Sequence, residues 1–305
     1  MLAIVFALLA DTTQSLQIPV ARAESVHVEL SGSGTPVAII PGLFGSAFGF
    51  RTLVPMLNEA GYETIVVEPL GIGSSGRPAR ADYSLTAQAD RVAAALDSLH
   101  LRRVIVIAHS IGGSEAFRLA YRRPDLVRGV VSVEGGPTET ATTPAFRRAM
   151  RLAPWIKIFG GIKLVRWKIR KLLVASSGDP GWVTDEVVLG YTAAAARDLN
   201  GTLKAFIAMS NARERDKLRP HLGEIRCPVI LVIGGAPHDG DVGADEVPLL
   251  ARSLPSFGAD TVAGAGHFIY EERPGAVLAA LKQLVATLPA LPALPALPAL
   301  PPGAP

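Results

Sequence analysis

Five short runs rich in β-branched residues, Val37–Ile40, Thr64–Val67, Val104–Ala108, Val127–Val133 and Val229–Ile233, constrain this chain more than any other feature. Each is too short for a buried helix and lacks the alternation of a strand with one wet face. Such runs predict strands covered on both sides. Helical patterns at Phe50–Glu59, at Leu85–Leu99 and onward from Ile111 to Tyr121 fall between them, and Val26–Leu30 and Ala259–Val262 read as further strands. Strands alternating with helices imply an α/β fold with a doubly wound, mostly parallel sheet. In such sheets ligands sit beyond the carboxyl ends of the strands, so polar residues there carry the chemistry.

The 305 residues are 49% hydrophobic and 19% charged, enough for one large domain with an ordinary core. No run of eighteen apolar residues occurs, which argues against a multi-span membrane protein. The single cysteine, Cys227, excludes an internal disulfide framework and a cysteine-rich metal site. A net charge of +3 on this length gives nucleic-acid binding little support.

Three regions stand apart from the alternating core. Residues 1–25 begin with the apolar run Met1–Ala10 and end near an A-x-A-like Ala21-Arg22-Ala23, the pattern of an export signal or anchor. Export or membrane association is therefore the expected localisation, with a cytoplasmic protein carrying an N-terminal extension as the alternative. Residues 288–305 repeat Leu-Pro-Ala and predict an extended tail, because proline fixes φ and removes donors. The core domain spans 26–287. Within it, about 140–220 reads as a helical cap inserted between two core strands. From Arg147 to Lys171 this insertion carries nine Lys or Arg and no acid, interleaved with Trp155, Phe159, Val165 and Trp167. A basic amphipathic segment of this kind either covers an active site or lies against a membrane surface.

The chemistry centres on Ala108-His109-Ser110-Ile111-Gly112-Gly113, which follows the Val104–Ile107 strand and opens a helix. A serine at such an apex needs small residues two before and two after it, where strand and helix approach closely. Ala108 and Gly112 meet that need. A hydroxyl also needs a base, and His267, in the glycine-rich loop Gly264–Phe268 after the last strand, is the candidate. The carboxylate that should orient it is Asp239, after the Val229–Ile233 strand, with Asp241 and Glu134 as alternatives. Backbone donors for a tetrahedral oxyanion are expected from Leu43 and Ile111. Gly71–Gly76 fits neither a dinucleotide-binding glycine pattern nor a phosphate-binding loop.

Taken together, these segments resemble the α/β-hydrolase superfamily over about residues 26–287. Ile39-Ile40-Pro41-Gly42-Leu43 resembles the oxyanion loop, Ala108–Gly113 the nucleophile elbow, Arg226–Gly234 the entry to the acid strand and Gly264–Pro274 the histidine loop. Pro41 stands where a histidine is common, and Ala108 replaces the elbow's first glycine. The resemblance implies a serine hydrolase that cleaves a carboxylic ester through an acyl-enzyme, with no metal or organic cofactor. Serine at the apex argues against the family's dehalogenases and epoxide hydrolases, which place aspartate there. Lactone, thioester or carbon–carbon hydrolysis, perhydrolysis and acyl transfer use the same apparatus, and a non-catalytic membrane-surface binder is a separate alternative. The expected partners are a small ester and, through 147–171, a membrane surface, with no nucleic acid.

Overall fold

A computed structural model describes residues 13–150 and 160–289. Eight strands form one sheet in the order β1-β2-β4-β3-β5-β6-β7-β8. They are β1 (Gln14–Ala21), β2 (Glu24–Ser31), β3 (Thr35–Ile40), β4 (Tyr62–Glu68), β5 (Val104–His109), β6 (Val127–Val133), β7 (Val229–Gly234) and β8 (Phe257–Val262). The first two strands pair antiparallel with each other, and β2 is antiparallel to β4, while all later pairings are parallel. The doubly wound sheet expected from the alternating runs is therefore present.

The start of the sheet differs from expectation. Gln14–Ala21, set aside above with an N-terminal segment ending at 25, is the edge strand, and Ala21 pairs with Glu24 across a tight turn. Leu16, Ile18 and Val20 alternate with exposed residues, so one face packs on the core. Pro19 is tolerated because an edge strand leaves one row of backbone groups unpaired. The apolar run Met1–Ala10 and most of the Leu-Pro-Ala tail lie outside the described residues.

Alternation along the central strands divides the core into two layers. Val104, Val106 and Ala108 of β5 pack with α2 (Leu85–Ser98) and α3 (Ile111–Arg122) on one face of the sheet. Ile105 and Ile107 face the other way, toward α1 (Leu53–Glu59) and the C-terminal Pro274–Thr287 helix. Every residue of β5 and β6 is buried, so both strands are covered above and below. Between β6 and β7 the alternation gives way to α4 (Pro144–Met150) and the helices Gly161–Ala175, Asp185–Tyr191, Ala193–Arg197 and Leu199–Asn211. The far end of this insertion is tied back to the core. Glu214 accepts from the N–H groups of Leu85 (2.5 Å) and Thr86 (3.2 Å), supplying acceptors to the free donors that open α2.

Two loops that border the insertion are fastened by one buried carboxylate. Glu68, at the end of β4, accepts from Ala47 N–H at 2.8 Å and from Ser74 N–H, and lies 3.1 Å from His27 Nδ1. The hydrogen bond to Glu68 raises the His27 pKa against the opposing effect of burial. A basic group whose folded pKa exceeds its unfolded value contributes fully below about pH 6.5, and its contribution fades as pH rises through the raised value. The melting-temperature advantage of wild type over His27→Gln is therefore expected to be larger at about pH 5.5 than at about pH 8.5. Thermal melts of both proteins across that range check this, and an advantage that grows with pH would contradict it.

Candidate active site

At the carboxyl end of β5 the chain turns directly from strand to helix, and Ser110 is the turning residue. Its φ of 54° and ψ of −123° lie outside the regions an L residue ordinarily occupies. The turn is held on both sides, by Ser110 N–H donating to Val133 O at 2.9 Å and Gly113 N–H donating to Ser110 O at 2.9 Å. The need for small neighbours is explicit in the geometry. A Cβ at Gly112 would lie 2.7 Å from Ile40 O, and one at Gly135 would lie 2.5 Å from Ser110 O. The contacts are with backbone, which cannot swing aside as a side chain can.

The loop after β3 reaches the same point. A Cβ on Gly42 would stand 3.0 Å from Ser110 Cβ and 2.9 Å from His109 Nδ1, so the Gly42–Gly45 turn, closed by a 3.0 Å bond from Gly45 N–H to Gly42 O, lies against the serine. Leu43 and Ile111 pack against the same small apolar cluster as Ala141, Ala205 and Met209. Among the described residues, neither the Leu43 nor the Ile111 N–H donates to a protein acceptor. An oxyanion forming at this serine would require backbone donors of this kind.

His267 arrives from the loop after β8 and is fixed through its backbone. Its N–H donates to Ser176 O at 2.7 Å, and its carbonyl accepts from His109 Nε2 at 3.1 Å. Burial, helped by the neighbouring imidazole of His267, holds the His109 pKa well below the ordinary histidine range, so His109 is neutral and donates through Nε2. The two rings lie 4.6 Å apart. Ser110 adjoins His109, which places serine and His267 at the same end of β5. Glu272 secures the histidine loop by accepting from Gly266 N–H at 3.0 Å, and it ties that loop to the insertion through Gly178 N–H at 2.9 Å and Asp179 N–H at 2.8 Å.

The carboxylate facing His267 comes from β6. Glu134 Oε2 is 3.7 Å from His267 Nδ1, an atom that is buried and has no hydrogen-bond partner. This separation is long for a hydrogen bond, as catalytic contacts in unliganded sites often are. Asp239 and Asp241 are exposed, and neither makes an ion pair with the imidazole. The Asp239 N–H donates instead to Ala175 O at 3.3 Å. Of the three acids considered from the sequence, the structure brings only Glu134 to the histidine.

His238 is a neighbour the sequence reading passed over. Its side chain is almost fully buried, with Nδ1 2.7 Å from Ala236 O and Nε2 3.3 Å from Glu134 Oε2. A carbonyl can only accept, so Nδ1 carries hydrogen. Nε2 then bonds Glu134 only when a proton lies between them, on the imidazole or on the carboxyl. The other carboxylate oxygen, Oε1, accepts from Gly234 N–H. The ligand-type atoms of Glu134, His238 and His267 lie within 4.8 Å of one another, close enough to clasp a cation. The one sign of His238 in the sequence was its place beside Asp239 at the end of β7.

A cavity of about 400 Å³ lies between the insertion and the loops after β3 and β4. Leu43, Phe44, Phe146, Leu164, Ile169 and Phe206 give it an apolar wall. The cavity reaches the turn after β3 at Leu43 and Phe44, while Ser110 and His267 are not among its lining residues. Phe44 packs edge-on against Phe146 and Phe206 at 5.5 Å each, and this aromatic cluster forms the cavity wall nearest the Gly42 turn.

The alpha/beta hydrolase fold family model matches residues 35–157. The chain is 25% identical over 256 residues to the sn-1-specific diacylglycerol lipase ABHD11 of Xenopus laevis, covering 83% of this chain and 80% of that protein. It is 26% identical over 267 residues to the 2-(acetamidomethylene)succinate hydrolase of Mesorhizobium japonicum, covering 86% of this chain and 91% of that one. The solved structure of the epoxide hydrolase CorEH superposes with a TM-score of 0.75 at 22% identity, covering 90% of this chain and 99% of that one. Among the described residues, no helix is long and apolar enough to cross a membrane.

Strain at the elbow can be read in stability. Holding a non-glycine residue at such a φ costs on the order of 1–3 kcal/mol, whereas glycine in place of alanine costs roughly 0.5–1 kcal/mol through the unfolded chain. Ser110→Gly is therefore expected to be about 1 kcal/mol more stable than Ser110→Ala. Urea unfolding of the pair decides this, and a less stable glycine variant would mean that Ser110 is unstrained.

Proposed function

The chain is a member of the α/β-hydrolase superfamily, a hydrolase of that fold, and from this premise we propose that it cleaves carboxylic esters by way of a serine acyl-enzyme. The observation that carries the proposal is the strained Ser110 apex, packed against the Gly42 turn at the end of the sheet where His267 and Glu134 face each other. Ser110 Oγ attacks the acyl carbon while His267 Nε2 accepts its proton. The carbonyl oxygen gains the negative charge and is met by the Leu43 and Ile111 N–H groups. Glu134 faces the Nδ1 side of the imidazole, fixes its tautomer and stabilises the imidazolium formed in this step. The proton then passes to the departing alcohol, and water activated by the same imidazole releases the acid and regenerates the serine.

Serine rather than aspartate at the apex favours acyl chemistry over the epoxide opening named for CorEH. The apolar cavity beyond Phe44 favours esters with an apolar acyl group, which a rotation of that ring would admit. The diacylglycerol lipase named among the relatives acts on esters of this general kind.

A panel of p-nitrophenyl esters of increasing acyl length tests the proposal, with fluorophosphonate labelling as the covalent readout. Ser110→Ala and His267→Ala are expected to lose at least about 10³-fold in kcat, and Ser110→Ala also to lose the label. Glu134→Gln is expected to lose about 10²–10⁴-fold, while Asp239→Asn stays within about threefold of wild type. Equal turnover by wild type and Ser110→Ala would refute the serine mechanism. A large loss in Asp239→Asn with none in Glu134→Gln would reassign the acid.

A further inference from the structure

The Gly161–Ala175 helix has two different faces. Leu164, Val165, Ile169 and Leu172, with Lys168, line the cavity from one side. On the other, Lys163, Trp167, Lys171 and Val174 follow at spacings of four, four and three residues, which brings them onto a single stripe, and all four are exposed. The helix carries Lys163, Arg166, Lys168, Arg170 and Lys171 and no acidic residue. Among the described residues, Arg170 alone of these has a carboxylate partner, Asp185 on the neighbouring helix.

Among the described residues the exposed large hydrophobic side chains are Trp167 (50%), Val174 (44%) and Leu189 (49%). All three lie on this helix or on Asp185–Tyr191, which packs beside it. Lys171 and Lys168 place their ammonium groups 4.1 Å and 5.7 Å from the Trp167 ring centroid, so the indole is held at the surface between cations.

We propose that this face docks on an anionic lipid surface, with Trp167 and Val174 entering the interface and Lys163 and Lys171 meeting the headgroups. Indole rings favour the headgroup layer, and lysines flanking an apolar stripe add electrostatic attraction to anionic lipid. A second copy of the chain fits this face poorly. An isologous dimer would set lysines against lysines, and the cores of protein interfaces are depleted in charge. The proposal stands apart from the hydrolytic reading, because binding can occur with or without turnover. Where both hold, docking brings the roof of the acyl cavity against the phase in which apolar esters dissolve.

The test uses the full chain with Trp155→Phe and Trp182→Phe, which leaves Trp167 as the one indole. Its fluorescence is followed during titration with phosphatidylglycerol vesicles and, separately, phosphatidylcholine vesicles. The expected result is a blue shift and reduced acrylamide quenching with phosphatidylglycerol alone, reversed as salt rises from about 0.05 M to about 0.5 M. In the same background Lys163→Glu/Lys171→Glu is expected to bind at least about 30-fold more weakly. Circular dichroism and sedimentation of the free proteins accompany the titration, since these exposed side chains contribute nothing to the core. An unshifted spectrum with phosphatidylglycerol would overturn the proposal, as would equal shifts with both lipids. So would a blue-shifted dimer in the absence of lipid, or an equal shift with short duplex DNA.

Discussion

The close backbone packing around one residue is the constraint on which everything else depends. Ser110 occupies a left-handed φ because β5 must end and α3 must begin within one residue, with Ile40, Gly42, Val133 and Gly135 pressed around the turn. Such a conformation persists only where the surroundings over-determine it. Here the surroundings are two fully buried central strands, β5 and β6, and the loop after β3. Beside this turn, the Leu43 and Ile111 N–H groups have no protein acceptor among the described residues. The strain at Ser110 and the close approach of the Gly42 turn are two results of one packing arrangement.

Charge at the site is arranged around a single buried carboxylate. Glu134 has one oxygen committed to Gly234 N–H, while the other faces both His238 and His267. The bond from Gly234 N–H offsets part of the cost of burying this carboxylate. His109, neutral because it is buried, adds no charge and instead holds the backbone of His267. The His267 imidazole is thus held through its main chain, with neither ring nitrogen spent on that anchoring. Glu68 and Glu272 serve the surrounding loops in the same way, each accepting from peptide N–H groups that would otherwise be unsatisfied.

Much of this was legible in the sequence because it rests on local rules. Buried parallel strands announce themselves as unbroken β-branched runs, and a serine apex needs small residues at fixed offsets, so β5, Ser110 and Gly112 could be read directly. His267 could be singled out because it lies in a glycine-rich loop after the last strand, and the structure places it beside His109 and Glu134. The carboxylate was not fixed in the same way. Glu134 and Asp239 both follow core strands, and the side chain that turns toward the histidine depends on backbone direction at the strand end, where Glu134 has a φ of 52°. No composition or spacing encodes that. The glycine-rich loop after β7 attracted attention to Asp239, while its neighbour His238 is the residue that points inward. The edge strand β1 was readable from the alternation of Leu16, Ile18 and Val20, but it lies between an apolar start and an A-x-A pattern, which drew the reading toward an export signal.

The central claim is that one convergence of Ser110, His267 and Glu134 performs the chemistry. It is tested most directly by proton magnetic resonance of the protein labelled with ¹⁵N-histidine, after a fluorophosphonate has modified Ser110 and mimicked the tetrahedral intermediate. A strongly downfield proton on His267 Nδ1 should appear in wild type and in Asp239→Asn, and should be lost in Glu134→Gln. Its persistence in Glu134→Gln together with its loss in Asp239→Asn would contradict the assignment of Glu134. Failure of the reagent to modify Ser110 at all would remove the serine from the chemistry.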